Sequence, residues 1–171
     1  MKAKSGMKFG GIFTVTCINK KTGKVNWIEK THNIVTNEGL NHILDIVLHG
    51  GTQVSPWYFL IFNTDTTPLA AHTYAVPGFT EDTNYDEATR QEYVEAAASG
   101  QSITNSASRA ELTMNSTTTI YGAALVSLST KGDVAGGGTL LAAGQFTNER
   151  ICYDDDTLVL QYTLSAADDG A

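Results

Sequence analysis

Charge is scarce in this sequence. Asp, Glu, Lys and Arg together make up 17% of the residues, against roughly a quarter in average globular chains, a profile that excludes a charge-laced helical bundle. Cysteine is rarer still. Cys17 and Cys152 lie far apart in the chain, so there is neither a disulfide framework nor a CxxC metal knuckle. They read as reduced core thiols, the usual state of free cysteine. The alternative is a disulfide between the first and last strands, which requires Cα atoms within about 7 Å. Apolar runs are short. None approaches the ~18 residues of a membrane span, and the lysines near Met1 are not followed by the apolar segment of a signal peptide. Catalytic signatures are missing too. There is no GxSxG elbow, no HExxH pair, and no Lys-Ser/Thr after the glycine triplet Gly136-Gly137-Gly138, so serine-hydrolase, zinc-hydrolase and P-loop sites are not indicated.

What fills the chain instead is Thr, Ser, Asn, Gly and Ala, with 42% hydrophobic residues. That is the profile of all-β proteins rich in turns, and of extracellular or virion proteins. The length of 171 residues suits one domain with a sizeable core. We expect a mobile basic arm over 1–8, a single β-sandwich over 9–165 and a frayed tail over 166–171. The net charge of −7 hides an asymmetry: residues 1–30 carry seven lysines against Glu29, a balance of +6, and the rest carries −13. A basic arm on an acidic body can steer docking onto an acidic partner, or it is a solvated tail. Nucleic acid is disfavoured, because the acidic body repels phosphate and the lysines lack interleaved aromatics.

The clearest local signal is a helix over 36–49. Leu40, Ile43, Leu44, Val47 and Leu48 form one apolar stripe at helical spacing, expected to face the core. Thr36 suits the N-cap, Val35 and Leu40 suit a hydrophobic staple, and Gly50-Gly51 stops the helix. Before it, strands over 9–19 and 25–34 flank a hairpin turn at Lys20–Lys24, with Trp27 as packing anchor. After it, Trp57–Phe62 is an unbroken apolar strand. Residues 63–100 read as a long loop excursion, the kind of segment that is often functional. From Ser102 the pattern is strand after strand. Ala110, Leu112 and Met114 share one face, 119–128 reads as a central strand, 131–138 as a flexible tip, 139–146 as a strand, and Leu158, Leu160, Tyr162 and Leu164 share a face. The expected fold is mainly β: an antiparallel β-sandwich, jelly-roll-like, with one short helix.

Side chains with chemical potential each have a plainer reading. Asp154-Asp155-Asp156 can offer oxygen to calcium but lacks the spaced pattern of an EF-hand, and a solvated turn is the expectation. Glu81, Asp82, Asp86 and Glu87 are clustered in sequence, which does not supply the cleft geometry of paired catalytic carboxylates. His32, His42, His49 and His72 have no zinc spacing, and His42 and His49 are expected on the helix surface or at an interface. No catalytic residue, metal or cofactor is assigned. Tyr85, Arg90 and Tyr93 are of the types enriched at protein interfaces. With Lys2, Lys4 and Lys8 they form the expected interface set. For Arg90 the alternative is an ion pair within the chain.

The order Asn33-Ile34-Val35-Thr36-Asn37-Glu38-Gly39-Leu40, an apolar helix, Trp57-Tyr58-Phe59-Leu60, Tyr85–Arg90, a Ser/Asn/Ala segment and Ile120-Tyr121-Gly122-Ala123 resembles small structural proteins of tailed bacteriophages. Within that group it most resembles capsid decoration, or cement, proteins. The resemblance spans roughly residues 9–165 and rests on overall pattern, without a motif whose residue roles carry over. It implies a non-enzymatic virion protein that binds the major capsid protein on the assembled shell, as a dimer or trimer, with no membrane or nucleic-acid partner and with assembly in the host cytoplasm. The alternative is a head- or tail-fibre-associated module that recognises a host glycan or protein. An enzyme with Glu81 or Glu111 as acid is a third reading.

Overall fold

The structure is a computed structural model that describes residues 6–133 and 136–168. Among the described residues, in chain order, the elements are β1 (Met7–Ile18), β2 (Val25–His32), β3 (Ile34–Val35), α1 (Asn37–Leu48), β4 (Trp57–Phe62), β5 (Glu92–Tyr93), β6 (Ser102–Thr104), β7 (Ala110–Thr113), β8 (Thr118–Val126), β9 (Leu140–Cys152) and β10 (Thr157–Asp168). They build two antiparallel sheets. One runs β2-β1-β10-β6 with β7 also on β10, and the other runs β3-β9-β8-β4-β5. The fold is therefore the expected mainly-β sandwich with one short helix.

The alternating strands line its interior. Phe13, Val15 and Cys17 of β1 and Leu158, Leu160 and Tyr162 of β10 face Phe59, Ile61, Ala123, Leu125 and Ala142 of the other sheet. A period of two places every second side chain on one face, so these strands bury one side. β4 and β8 behave differently. Leu60, Phe62, Ala124 and Val126 point to the outer face of their sheet, where Tyr74 and Phe79 cover them. A strand buried on both faces reads as a continuous apolar run, which is why Trp57–Phe62 shows no alternation. Gly122 belongs to this arrangement, since a Cβ there would overlap the Phe62 ring and the Gly144 carbonyl.

Three expectations are corrected. β1 begins at Met7 and β10 runs to Asp168, paired in register from Met7↔Asp168 to Ile18↔Thr157. Lys8 is thus an exposed strand residue opposite Ala167, and residues 166–168 are in the sheet. The excursion over 63–100 is not a loose loop but the layer that covers the outer face of the second sheet. β9 is one strand of 13 residues that runs past the expected end at 146 to Cys152.

The fourth correction concerns α1. Its caps are as read: Thr36 accepts a hydrogen bond from the Gly39 amide at 3.0 Å, and Gly50 beyond the helix has φ +70°. Its face is not. Leu44, Val47 and Leu48 are 53%, 70% and 79% exposed, while Gly39 is buried and His42, Ile43 and Ile46 are half-buried. Gly39 decides the orientation, because a Cβ there would overlap the Leu141 carbonyl, so this side of the helix lies directly on β9. Leu44→Ala should accordingly cost less than about 1 kcal/mol in a urea melt, since it removes surface that is already wet. Leu158→Ala, at a fully buried site, should cost about 2–5 kcal/mol.

Candidate functional site

The first turn of α1 is pinned. The Thr36 hydroxyl donates to the Leu140 carbonyl, and the Thr36 amide donates to the Leu141 carbonyl at 3.1 Å. Glu38 accepts from the Leu140 and Tyr74 amides at 2.6 and 2.8 Å. The acidic side chain also suits the positive end of the helix dipole. Among the described residues no comparable hydrogen-bonded anchor holds the second half, where the exposed stripe Leu44, Val47 and Leu48 lies. That stripe is an apolar helix face turned to solvent.

Beneath the helix the two sheets stay apart and leave a cleft of about 310 Å³. Ile43, Ile46 and Val47 form its helical wall. Trp57, Leu125 and Leu141 come from one sheet, and Ile103, Tyr162 and Leu164 from the other. His42 meets the Trp57 ring edge-on, with centroids 5.5 Å apart. Tyr93 stands edge-on to both Phe59 and Tyr162, at 5.7 and 5.9 Å. Gln53 and Glu95 complete the lining. An apolar wall with a few polar atoms is the usual make-up of a small-molecule site. Among the described residues His42 Nε2 and the Tyr93 hydroxyl are buried without a hydrogen-bond partner, whereas the buried Tyr162 hydroxyl and Asn33 side chain lie beside each other.

The expected interface set is not assembled here. Lys2 and Lys4 lie outside the described residues, and Lys8 is in β1. Tyr85, Arg90 and Tyr93 are buried at 1%, 1% and 4% exposure, so they present no surface to a partner. Arg90 takes the alternative role, a buried ion pair within the chain. Its Nε and Nη2 donate to the two Glu81 oxygens at 2.8 and 2.6 Å, and further bonds reach the Tyr74 hydroxyl and the Leu128 and Asp133 carbonyls. Burial pulls the guanidinium pKa down, but the hydrogen bonds to Glu81 and Tyr74 outweigh it and hold it above its ordinary value.

The acidic clusters are likewise structural. Asp82 is fully buried and accepts from the Asn84 amide and the Thr118 hydroxyl. Both Glu87 oxygens face the Thr113 amide at 3.1 Å. Asp156 is buried rather than solvated, and gathers the Asn26 amide group at 2.8 Å together with Cys17, Asn19, Lys20 and Tyr153. The 131–138 tip is tied down where it is described: Lys131 donates to the Tyr85 carbonyl at 2.7 Å and the Gly132 amide to Glu81 at 2.7 Å. Residues 134 and 135 of that tip lie outside the described residues. Among the described residues no group of three or more His, Cys, Asp or Glu is arranged to hold a metal. Cys17 and Cys152 are free, buried thiols, and a hydrogen bond with Cys17, then burial, raises the Cys152 pKa so that it stays protonated.

No protein-family model matches the chain, and no curated protein matches its sequence. The cleft therefore stands on its own geometry. Sequence reading placed His42 on the helix surface and Trp57 in a packing strand, and did not bring them together with Tyr93 and Tyr162. The available signal was Gly39. A glycine in a first turn followed by His42, Ile43 and Ile46 marks a second stripe, narrower than the leucine one and closer to backbone.

Burial is the largest cause raising the phenol pKa of Tyr85, Tyr93 and Tyr162 above the ordinary 10.0. Glu81 adds to it at Tyr85, Glu95 at Tyr93 and Tyr93 at Tyr162, while Asn33 partly offsets it at Tyr162. A pKa raised in the folded state means that above pH 10 the unfolded chain has released protons the native one retains, so stability falls as pH rises from there. Absorbance titration should show these three phenols ionising only together with unfolding. Reversible ionisation of all seven tyrosines near pH 10 in the folded protein would contradict the placement.

Proposed function

We propose that this protein is a non-enzymatic structural component of a tailed-bacteriophage virion, a cement protein that binds and stabilises the assembled capsid. The observation that carries the reading is the outward stripe of α1. A helix pinned at its first turn presents Leu44, Val47 and Leu48 to solvent, and an apolar helix face is a recurrent docking element that lies in a hydrophobic groove. Contiguous exposed apolar side chains mark interaction sites more often than scattered ones do. The partner surface is an apolar groove on the major capsid protein, repeated at every lattice position. The lysine-rich start of the chain offers a second, electrostatic contact to an acidic shell surface.

The packed two-sheet body fits this role. A cement protein needs a stable body that holds one docking face, and many weak contacts on a lattice add up through multivalency. A ligand that binds only the assembled shell stabilises it by mass action. The sequence resemblance to decoration proteins points the same way.

Purified protein mixed with undecorated shells should co-sediment with them and raise their melting temperature. Val47→Asp and Leu48→Asp should each weaken shell binding by at least about tenfold, equivalent to 1.4 kcal/mol, while the variant's own melting temperature stays near that of the parent. Failure to bind any shell, or unchanged binding by both variants, would refute the proposal.

A further inference from the structure

We propose that the cleft beneath α1 is a binding site for a small, neutral, hydroxyl-bearing apolar molecule, a phenol or a cyclic alcohol. The site shares Val47 with the outward face of α1 but otherwise draws on different side chains, and it adds a second binding function to the molecule.

Two atoms carry the inference. Tyr93 is 4% exposed, yet among the described residues its hydroxyl has no hydrogen-bond partner, and His42 Nε2 in the same cleft has none either. Buried polar atoms are almost always paired, and an unpaired one costs stability unless something supplies the missing bond. Tyr162 and Asn33 differ from them, because these two lie beside each other at Gly11 and interact there. Tyr93 and His42 therefore leave bonds for an occupant of the cleft to make.

The chemistry of the walls narrows that occupant. The Tyr93 phenol is protonated across the neutral range like any tyrosine, and burial raises its pKa further, so it can donate its O–H. A ligand hydroxyl is both donor and acceptor, so it can accept from the Tyr93 O–H or bond to the His42 ring nitrogen. Among the described residues no Lys or Arg lines the cleft, and the exposed Glu95 does, so a carboxylate or phosphate head would meet repulsion there. Leu125, Leu141 and the Trp57 ring supply contact for an apolar body. The volume of about 310 Å³ is at the small end of ligand sites and has room for a single ring.

The test is calorimetric titration of the full chain with para-cresol and cyclohexanol, alongside toluene and hexanoate. Saturable binding of either hydroxylated probe is expected, at least about tenfold tighter than toluene (1.4 kcal/mol per tenfold), with no binding of hexanoate. Tyr93→Phe keeps the ring contacts and removes only the hydroxyl. It should weaken para-cresol by a similar factor and leave the melting temperature of the free protein equal or higher, because an unpaired buried hydroxyl is gone. Absence of saturable binding by both hydroxylated probes would overturn the proposal. So would equal affinity for toluene, which would make the cleft a mere apolar void. A Tyr93→Phe variant that melts lower and binds para-cresol as tightly as the parent would also overturn it, since the hydroxyl would then serve a structural water. The comparison among probes needs no variant, so it stands even if a substitution disturbs folding.

Discussion

The molecule depends on one buried ion pair. Arg90 and Glu81 meet in a two-pronged contact at 2.8 and 2.6 Å, with side chains 0% and 3% exposed. Charges taken out of water are costly unless their remaining hydrogen-bonding capacity is filled. Here it is filled: the guanidinium also reaches the Tyr74 hydroxyl and the Leu128 and Asp133 carbonyls, and Glu81 accepts from the Gly132 amide. Tyr74 lies in the excursion, and Leu128, Gly132 and Asp133 lie between β8 and β9. The pair therefore ties the excursion at three points and fastens it to the segment between β8 and β9.

That fastening explains the layering. With the excursion held down, Tyr74 and Phe79 cover the outer face of the β4–β8–β9 sheet, and Phe79 stacks on Phe62 at 4.4 Å. A sheet covered on both faces can be apolar on both faces, and β4 and β8 are. The opposite end of the same sheet has no such cover. There α1 is attached through Thr36, Glu38 and Gly39 at its first turn, and its second half stands over a cleft. The outward stripe of the helix and the space under it are thus open, and the excursion is part of the core.

Much of the architecture was legible in the residues, where one physical signal dominated. The alternation of Leu158, Leu160 and Tyr162 placed β10 correctly, and the run Trp57–Phe62 was readable as a buried strand. The cap residues Thr36 and Gly50 set the helix ends within a residue or so. The failures share a cause. The leucine stripe of α1 obeys helical spacing as well as a buried face does, and periodicity does not say which of two stripes is inside; only the close approach of Gly39 to β9 decides it. The excursion was read as a functional loop because it lacks periodicity, but its contribution lies in single side chains, Tyr74, Phe79, Glu81 and Arg90, whose partners are distant in sequence. The same holds for Asp156, an expected solvated turn residue that collects hydrogen bonds from β1, the turn after it and β2. Tyr85, Arg90 and Tyr93 had the composition of an interface and the burial of a core, two settings that favour the same residue types.

Amide hydrogen exchange, followed residue by residue under native conditions, measures this division most directly, because it reports the free energy of local opening along the chain. The account predicts that Asp82, Arg90 and Phe59, whose amides bond across the excursion and its neighbours, exchange as slowly as the central strands. It predicts that the second half of α1, from Leu44 to Leu48, opens at much lower free energy. Fast exchange through residues 79–93 with a fully protected helix would contradict it, and would return the functional surface to the excursion.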